Sequence, residues 1–330
     1  MKKIYYFLTI ISITIFLISN SAQPGIWNAG GSGSFQLLYP EDSLAYKKIQ
    51  MKTEKIYIQL YNGYAVVKGT YNFYNSTKNP LTIKVGYPIN NVFDNVGHKN
   101  DLNQVRVDGL YKIKGLVNNL EIPIYKKPNK ENDNWYVWNI TYPPKKITKF
   151  TVYFLVNTNN AQITQGYNKD YKNAFIYLIE TGSLWKSPIE KGDFYTQIMD
   201  EELLENIKGD APTSLLFNKN KSVLKFTMLD YGKKPDKNFV LTYGKEISSF
   251  NFKKTTQKSD DLFKEIDSFS NLKLNSLKFT SFTLENPYET DSKKGNVVGY
   301  FYLIGIYGIP ILLIIFVLLL LFWFYKKLKK

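Results

Sequence analysis

No cysteine occurs among the 330 residues. Disulfides, thiolate nucleophiles, cysteine-ligated zinc and a lipid anchor on an N-terminal cysteine are therefore excluded. Histidine occurs once, as His98, in a polar loop beside Lys99 and Asn100. A metal site needs further ligands at a set spacing, and none accompanies it. Arginine also occurs once, as Arg106, and no arginine-rich or nucleic-acid-binding motif is present. The glycine run Asn28-Ala29-Gly30-Gly31-Ser32-Gly33-Ser34 lacks the Gly-Lys-Ser/Thr that a phosphate loop requires, so it reads as a flexible lead-in. No serine sits in a Gly-x-Ser-x-Gly elbow, and Glu131 to Asn134 has the composition of a calcium loop without its spacing. Outside the extreme C-terminus there is no block of five or six like charges.

What the chain does have is one long apolar run. Tyr300 to Tyr325 contains no charged residue, and Ile311 to Phe322 is built only from Ile, Leu, Phe and Val. As a helix this run is long enough to cross a bilayer, and its twelve central residues favour insertion by about 4–7 kcal/mol. Aromatic residues stand at both ends, and Lys326, Lys327, Lys329 and Lys330 follow. At the other terminus, Lys2 and Lys3 precede the apolar stretch Ile4–Ile18 and the small residues Ser19-Asn20-Ser21-Ala22, a secretory signal pattern. The expected organisation is a signal peptide over 1–22, a β-rich ectodomain over 23–250, either whole or split near 160, and a juxtamembrane segment over 251–298. A transmembrane helix over 299–325 and a basic cytoplasmic tail over 326–330 complete it. The expected location is the cytoplasmic membrane of a bacterium, with the ectodomain on the periplasmic or extracellular side.

The formal charge is +15, from 43 basic and 28 acidic residues. Six of the lysines lie in the two terminal segments, so the ectodomain stays net basic. Scattered lysine alongside abundant Asn, Ile and Tyr fits compositional bias and solvated faces; attraction to anionic lipid or cell-wall polymer is the alternative.

Between the termini the period is two. Ile56, Ile58 and Leu60 share one face, and Tyr57, Gln59 and Tyr61 the other. After Asn62-Gly63 the alternation resumes through Ala65, Val67, Gly69, Tyr71 and Phe73, a hairpin signature. Leu81 to Val85 is the next strand, closed by Gly86-Tyr87-Pro88. Asp108-Gly109 marks a second hairpin, and Pro123 and Pro128 flank an edge segment. Trp135 to Ile140, Phe150 to Val156, Phe175 to Ile179, Leu224 to Met228 and Phe239 to Tyr243 are further strands. Short helices are expected over Asp200–Ile207 and Asp260–Phe269, and a strand over Leu277–Leu284. The fold class is mostly β: an antiparallel β-sandwich ectodomain of one or two sandwiches, plus a single C-terminal transmembrane helix.

Several stretches occur in a familiar order: Ala29-Gly30-Gly31, Ile49-Gln50-Met51-Lys52-Thr53-Glu54, Tyr71-Asn72-Phe73-Tyr74-Asn75, Val85-Gly86-Tyr87-Pro88, and Tyr177-Leu178-Ile179-Glu180-Thr181-Gly182-Ser183-Leu184-Trp185 with Pro188-Ile189. Together they resemble the exported bacterial family called domain of unknown function 4424, over about Asn28 to Tyr243. The resemblance implies a role outside the cytoplasm and carries over no catalytic residue. The C-terminal span departs from many of its members. Within this stretch, Thr181-Gly182 permits a turn and Trp185 is expected to plug a sandwich corner rather than stack on a ligand.

No catalytic, cofactor-binding or metal-binding residue is assigned, and no cofactor is expected. The carboxylate neighbours Asp260-Asp261 and Glu201-Glu202 read as solvated helix faces. Asn75-Ser76-Thr77 and Asn139-Ile140-Thr141 match the glycosylation sequon, which carries little weight in a bacterial protein. The expected role is that of a binding or structural module of the cell envelope, not an enzyme. Its expected partners are the membrane and a protein or envelope polymer, with no nucleic acid. A glycosidase-like envelope hydrolase using two carboxylates is the alternative, because that chemistry leaves no sequence signature.

Overall fold

The computed structural model describes residues 25–27, 29–32, 36–37, 46–88, 105–106, 110–128, 134–165, 168–177, 179, 185–186, 188–200, 206–231, 238–285 and 304–328. The expected signal peptide, His98, Thr181-Gly182, Glu201-Glu202 and the middle of the helix expected over Asp200–Ile207 lie outside them.

In chain order the strands are β1 (Gly25–Trp27), β2 (Ala29–Ser32), β3 (Gln36–Leu37), β4 (Ile49–Tyr61), β5 (Tyr64–Asn75), β6 (Leu81–Pro88) and β7 (Val105–Arg106). Then follow β8 (Leu110–Val117), β9 (Leu120–Ile122), β10 (Tyr125–Pro128), β11 (Asn134–Tyr142), β12 (Ile147–Asn157), β13 (Ala161–Gln165) and β14 (Asn168–Tyr177). The last are β15 (Ile189–Ile198), β16 (Lys208–Asp210), β17 (Leu215–Asn218), β18 (Val223–Tyr231), β19 (Phe239–Lys245) and β20 (Thr280–Phe282). Helices α1 (Phe252–Thr256) and α2 (Ser259–Ser270) lie between β19 and β20, and α3 (Ile309–Leu328) follows a π-helical turn over Ile304–Gly308.

These strands form three sheets. A large sheet of nine runs β20-β17-β18-β15-β4-β5-β12-β8-β9. A second of seven is built on β1-β13-β14-β19-β16, with β2 beside β14 and β7 beside β2; a third of four runs β10-β11-β6-β3. One apolar core lies between the large sheet and the two smaller ones. Phe226 of the large sheet meets Phe239 of the second at 4.9 Å, and Phe150 meets Trp138 of the third at 5.6 Å. This is the expected β-rich sandwich with a C-terminal apolar helix. The sheets are mixed rather than purely antiparallel, because β15 pairs β4 in parallel, as do β14 with β2 and β2 with β7.

The hairpin at Asn62-Gly63 forms as its sequence demands, with Tyr61 opposite Tyr64. Gly63 has φ of 95°, and a Cβ placed on it would come within 2.8 Å of the Phe250 ring. Replacing Gly63 with Val is expected to lower stability by about 2 kcal/mol, since both the backbone region and the space exclude a branched side chain. An unchanged melting temperature would remove this turn from the list of fold determinants.

Other local readings give way to distant pairing. Asp108-Gly109, the second expected hairpin turn, lies outside the described residues; on either side of it β7 pairs β2, and β8 pairs β12 and β9. A tight turn outside the sequence expectations is at Asn118-Asn119, where both residues have positive φ (49° and 69°), as a primed hairpin turn requires. The glycine run is not a loose lead-in: Gly30 and Gly31 pair with Phe175 and Ile176. Met1–Tyr288 is one compact unit and Glu289–Lys330 is a second.

Within the first unit, α2 covers the outer face of the large sheet. Its Leu262, Phe263, Ile266 and Phe269 recur at helical spacing and are all buried, against Val66, Tyr153, Leu155 and Tyr195. Asp260 and Asp261 sit in its first turn, where acidic residues complement the helix dipole. In the second unit, α3 is long and apolar enough to cross a membrane, and none of its residues is buried within the chain.

Candidate functional site

A carboxyl group displaced far from ordinary behaviour lies in the middle of the large sheet. On β4 the alternation that sends Ile56, Ile58 and Leu60 into the core also sends in Glu54, which is 6% exposed. Its neighbours across the sheet are Tyr71 on β5 and Gly192 on β15. Gly192 matters because a Cβ there would overlap the Tyr231 hydroxyl, which occupies that space and donates to Glu54 Oε1. Gly69 does the same for the hydroxyl of Tyr71. From the second sheet, Tyr177 donates to Glu54 Oε2 at 3.4 Å, and its oxygen lies 3.1 Å from that of Tyr71. Three tyrosines from β5, β14 and β18 thus converge on one carboxyl group inside an apolar core.

Burial dominates the electrostatics. It pushes the Glu54 carboxyl up to about 7, against the opposing effect of the Tyr231 and Tyr177 hydroxyls. Burial first, and then the adjacent Glu54, raise Tyr231 well beyond the ordinary phenol range. Near neutral pH the carboxyl can hold or release one proton while the Tyr231 hydroxyl stays neutral.

The other buried carboxylate, Asp193, is 3% exposed. It directly follows Gly192 on β15, so it points to the opposite face of the sheet. There it accepts from Thr227 Oγ1 at 2.9 Å and pairs with Lys191 at 2.9 Å. Glu54 and Asp193 are therefore separated by the sheet and cannot face one substrate. Asp260 and Asp261 are exposed on α2, near Lys112 and Lys264 respectively. Among the described residues no group of three His, Asp or Glu is placed to hold a metal. Trp185 is 5% exposed, with its ring 4.7 Å from that of Phe73, so it fills the core as a corner plug would.

The sequence does not single out Glu54, yet it carries the signal. Stepping back by two from Ile56 puts a carboxylate on a core face, and Gly69 and Gly192 mark the neighbouring strands as places where large groups approach.

No protein-family model matches the chain, and no curated protein matches it. Among solved structures, the chain is similar to a "putative nutrient binding protein" of Legionella pneumophila, at 14% identity and TM-score 0.48, over 67% of this chain and 72% of that one. It is also similar to an M1 zinc metallopeptidase of Deinococcus radiodurans, at 6% identity and TM-score 0.29, over 59% of this chain and 42% of that one. A two-domain M1 zinc metallopeptidase mutant bound to L-arginine gives 6% identity, TM-score 0.28 and the same coverages. The chain thus spans under half the length of either metallopeptidase structure.

Proposed function

We infer that this chain is a single-pass membrane protein of the bacterial cell envelope whose β ectodomain acts by contact, as a binding or structural module, and not by turnover. The ectodomain is outside the cytoplasm and the lysine tail inside. Membership of the family called domain of unknown function 4424 belongs to the same reading, on the motif residues from Ala29 to Ile189. The observation that carries the contact role is the placement of the buried carboxylates. Glu54 is enclosed between sheets, and Asp193 is on the other side of the same sheet, already paired. A carboxylate hydrolase needs both groups flanking one bond, about 5–10 Å apart and open to substrate.

Two measurements test this. The full chain in membranes should resist alkaline carbonate extraction, and a reporter active only in the cytoplasm should work when fused after Lys330. A silent reporter, with a periplasmic one active at the same place, reverses the topology. Purified protein should turn over no glycoside, ester, phosphate or peptide substrate. A turnover abolished by Glu54→Gln or Asp193→Asn would replace the contact role with the hydrolase.

A further inference from the structure

One end of the large sheet gathers lysines on a fixed platform. Strand register defines that end: β4 begins there, β5 finishes there with Asn75 opposite Ile49, and β12 begins with Ile147 opposite Tyr74. Lys186, bridged to Gln50, lies at the same end. Backbone bonds stitch these connections together: Ser76 N to Lys48 O, Lys145 N to Asn75 O, and Lys186 N to Ile49 O. The side chain of Asn75, fully buried, locks the platform. Its Nδ2 donates to the carbonyls of Asn79 and Tyr142, both at 2.9 Å, and its Oδ1 accepts from Thr77 N at 2.9 Å.

Lys47, Lys48, Lys78, Lys145, Lys146 and Lys186 are all exposed on this platform. Lys145 Nζ donates to Ser76 O at 2.5 Å, and Lys186 Nζ donates to Ser76 Oγ at 3.2 Å. Two ammonium groups are thus drawn to one residue. Among the described residues, Lys48, Lys78, Lys145, Lys146 and Lys186 have no carboxylate partner. Among the described residues, Glu190 pairs with Lys52, Glu285 pairs with Lys208, and Asp230 is on β18, two strands from β4. Like charges held close together repel, and an external anion relieves that repulsion.

The course of the chain identifies the anion. β20 is antiparallel to β17, β17 to β18 and β18 to β15, while β15 is parallel to β4. β20 therefore runs toward the end where β4 begins, which is the lysine end. β20 ends at Phe282, and the helix able to cross a membrane begins at Gly305. The residues between these two points reach at most about 80 Å even fully extended, which keeps a bilayer surface close to this unit at high effective concentration.

We propose that the lysine end is a docking surface for the anionic phospholipid headgroups of the membrane that holds α3, an inference that rests on the single-span reading. Each lysine brought to an anionic surface strengthens docking about fivefold, and salt weakens it. The sequence-level reading of these lysines as scattered solvated charge is replaced, at this one end, by a built cluster.

The test uses the full chain in nanodiscs of phosphatidylcholine, alone or with about one third phosphatidylglycerol. A short pulse of amine-reactive acylation, read lysine by lysine by mass spectrometry, reports protection. In the anionic discs, acylation of Lys48, Lys78, Lys145, Lys146 and Lys186 should slow at least about threefold, with Lys221 and Lys253 at the opposite end unchanged, and about 0.5 M salt should abolish the difference. The exposed double variant Lys145→Glu/Lys186→Glu should lose the protection at Lys48 and Lys146 while melting as the parent does. Equal acylation in both discs, with the chain inserted, overturns the docking surface alone. Protection by added polyphosphate but not by phosphatidylglycerol assigns the cluster to a soluble anionic polymer and also overturns it. A chain that enters neither disc overturns the single-span reading and the docking with it.

Discussion

A soluble version ending at residue 250 is expected to lose cooperative folding, whereas one ending at 288 retains it. The reason is α2. Leu262, Phe263, Ile266, Phe269 and Leu274 are all buried against the outer face of the large sheet. Five such side chains represent about 8–15 kcal/mol of gross burial, reduced by the entropy of ordering the segment that carries them. Removing the segment also uncovers Val66, Leu155 and Val223, now fully buried, and leaves its polar ties unmade. Asp267 accepts from Tyr153 at 2.7 Å and from Lys68 at 2.6 Å, and Asn275 accepts from Tyr195 at 2.8 Å. Aromatic contacts add to these: Tyr57 lies 5.9 Å edge-on to Phe269, and Tyr153 lies 5.4 Å from Phe263. Ile266→Asp, which places a charge at a position of zero exposure, tests the same contact without deletion and should cost 3 kcal/mol or more, roughly. Thermal or urea melts of the two truncations and the point variant decide it. A sharp, unshifted transition for the version ending at 250 would make α2 an ornament of the fold.

The sequence pattern already hints at this second layer. In β12, Thr151, Tyr153 and Leu155 alternate with Phe150, Val152, Phe154 and Val156, and every one of these seven is buried. A strand without a polar face is covered on both sides. Strand propensity alone also explains Tyr and Leu there, so the pattern does not say what the cover is. The segment that supplies it is over a hundred residues away in sequence, beyond the reach of any local period.

The same division between local and distant information runs through the rest. Asn62-Gly63 is flanked by alternating runs that become its own two strands, so local chemistry and pairing agree. Asp108-Gly109 has equal local chemistry but lies outside the described residues, and the strand after it pairs with β12 and β9. Gly30 and Gly31 look like punctuation because parallel pairing with β14 leaves no local trace. The platform under the lysine cluster depends on Asn75 contacting Tyr142, 67 positions away. Single lysines at 48, 78, 145 and 186 therefore read as scattered charge until register brings them together.

Stability of the β-sheet unit is expected to fall as pH rises from about 5 to 8, and Glu54→Gln is expected to remove the part of that fall that Glu54 causes. In the folded state burial holds the Glu54 carboxyl up at about 7, against 4.5 for the same group exposed to water. Below the lower value the carboxyl is protonated in both states and contributes no pH dependence. Between the two values the unfolded chain releases the proton while the folded core keeps it, so unfolding gains progressively. Above about 7 both states are ionised and the full difference, about 3 kcal/mol, is charged against the folded state. A glutamine keeps the shape, still accepts from Tyr231 through its oxygen, and presents its amide to the Tyr177 hydroxyl, with no charge to desolvate. Glu54→Gln should therefore stabilise the protein by about 3 kcal/mol at pH 8 and change it little at pH 4.5 or below. Other groups titrate over this range, so the measurement is the difference between parent and variant in urea melts across pH. A difference that stays flat would place the Glu54 carboxyl in contact with solvent and dissolve the closed tyrosine cage around it. Tyr231→Phe sharpens the comparison. It removes the hydroxyl that opposes burial, so the carboxyl should titrate higher still, and the fall in stability should extend further into the alkaline range.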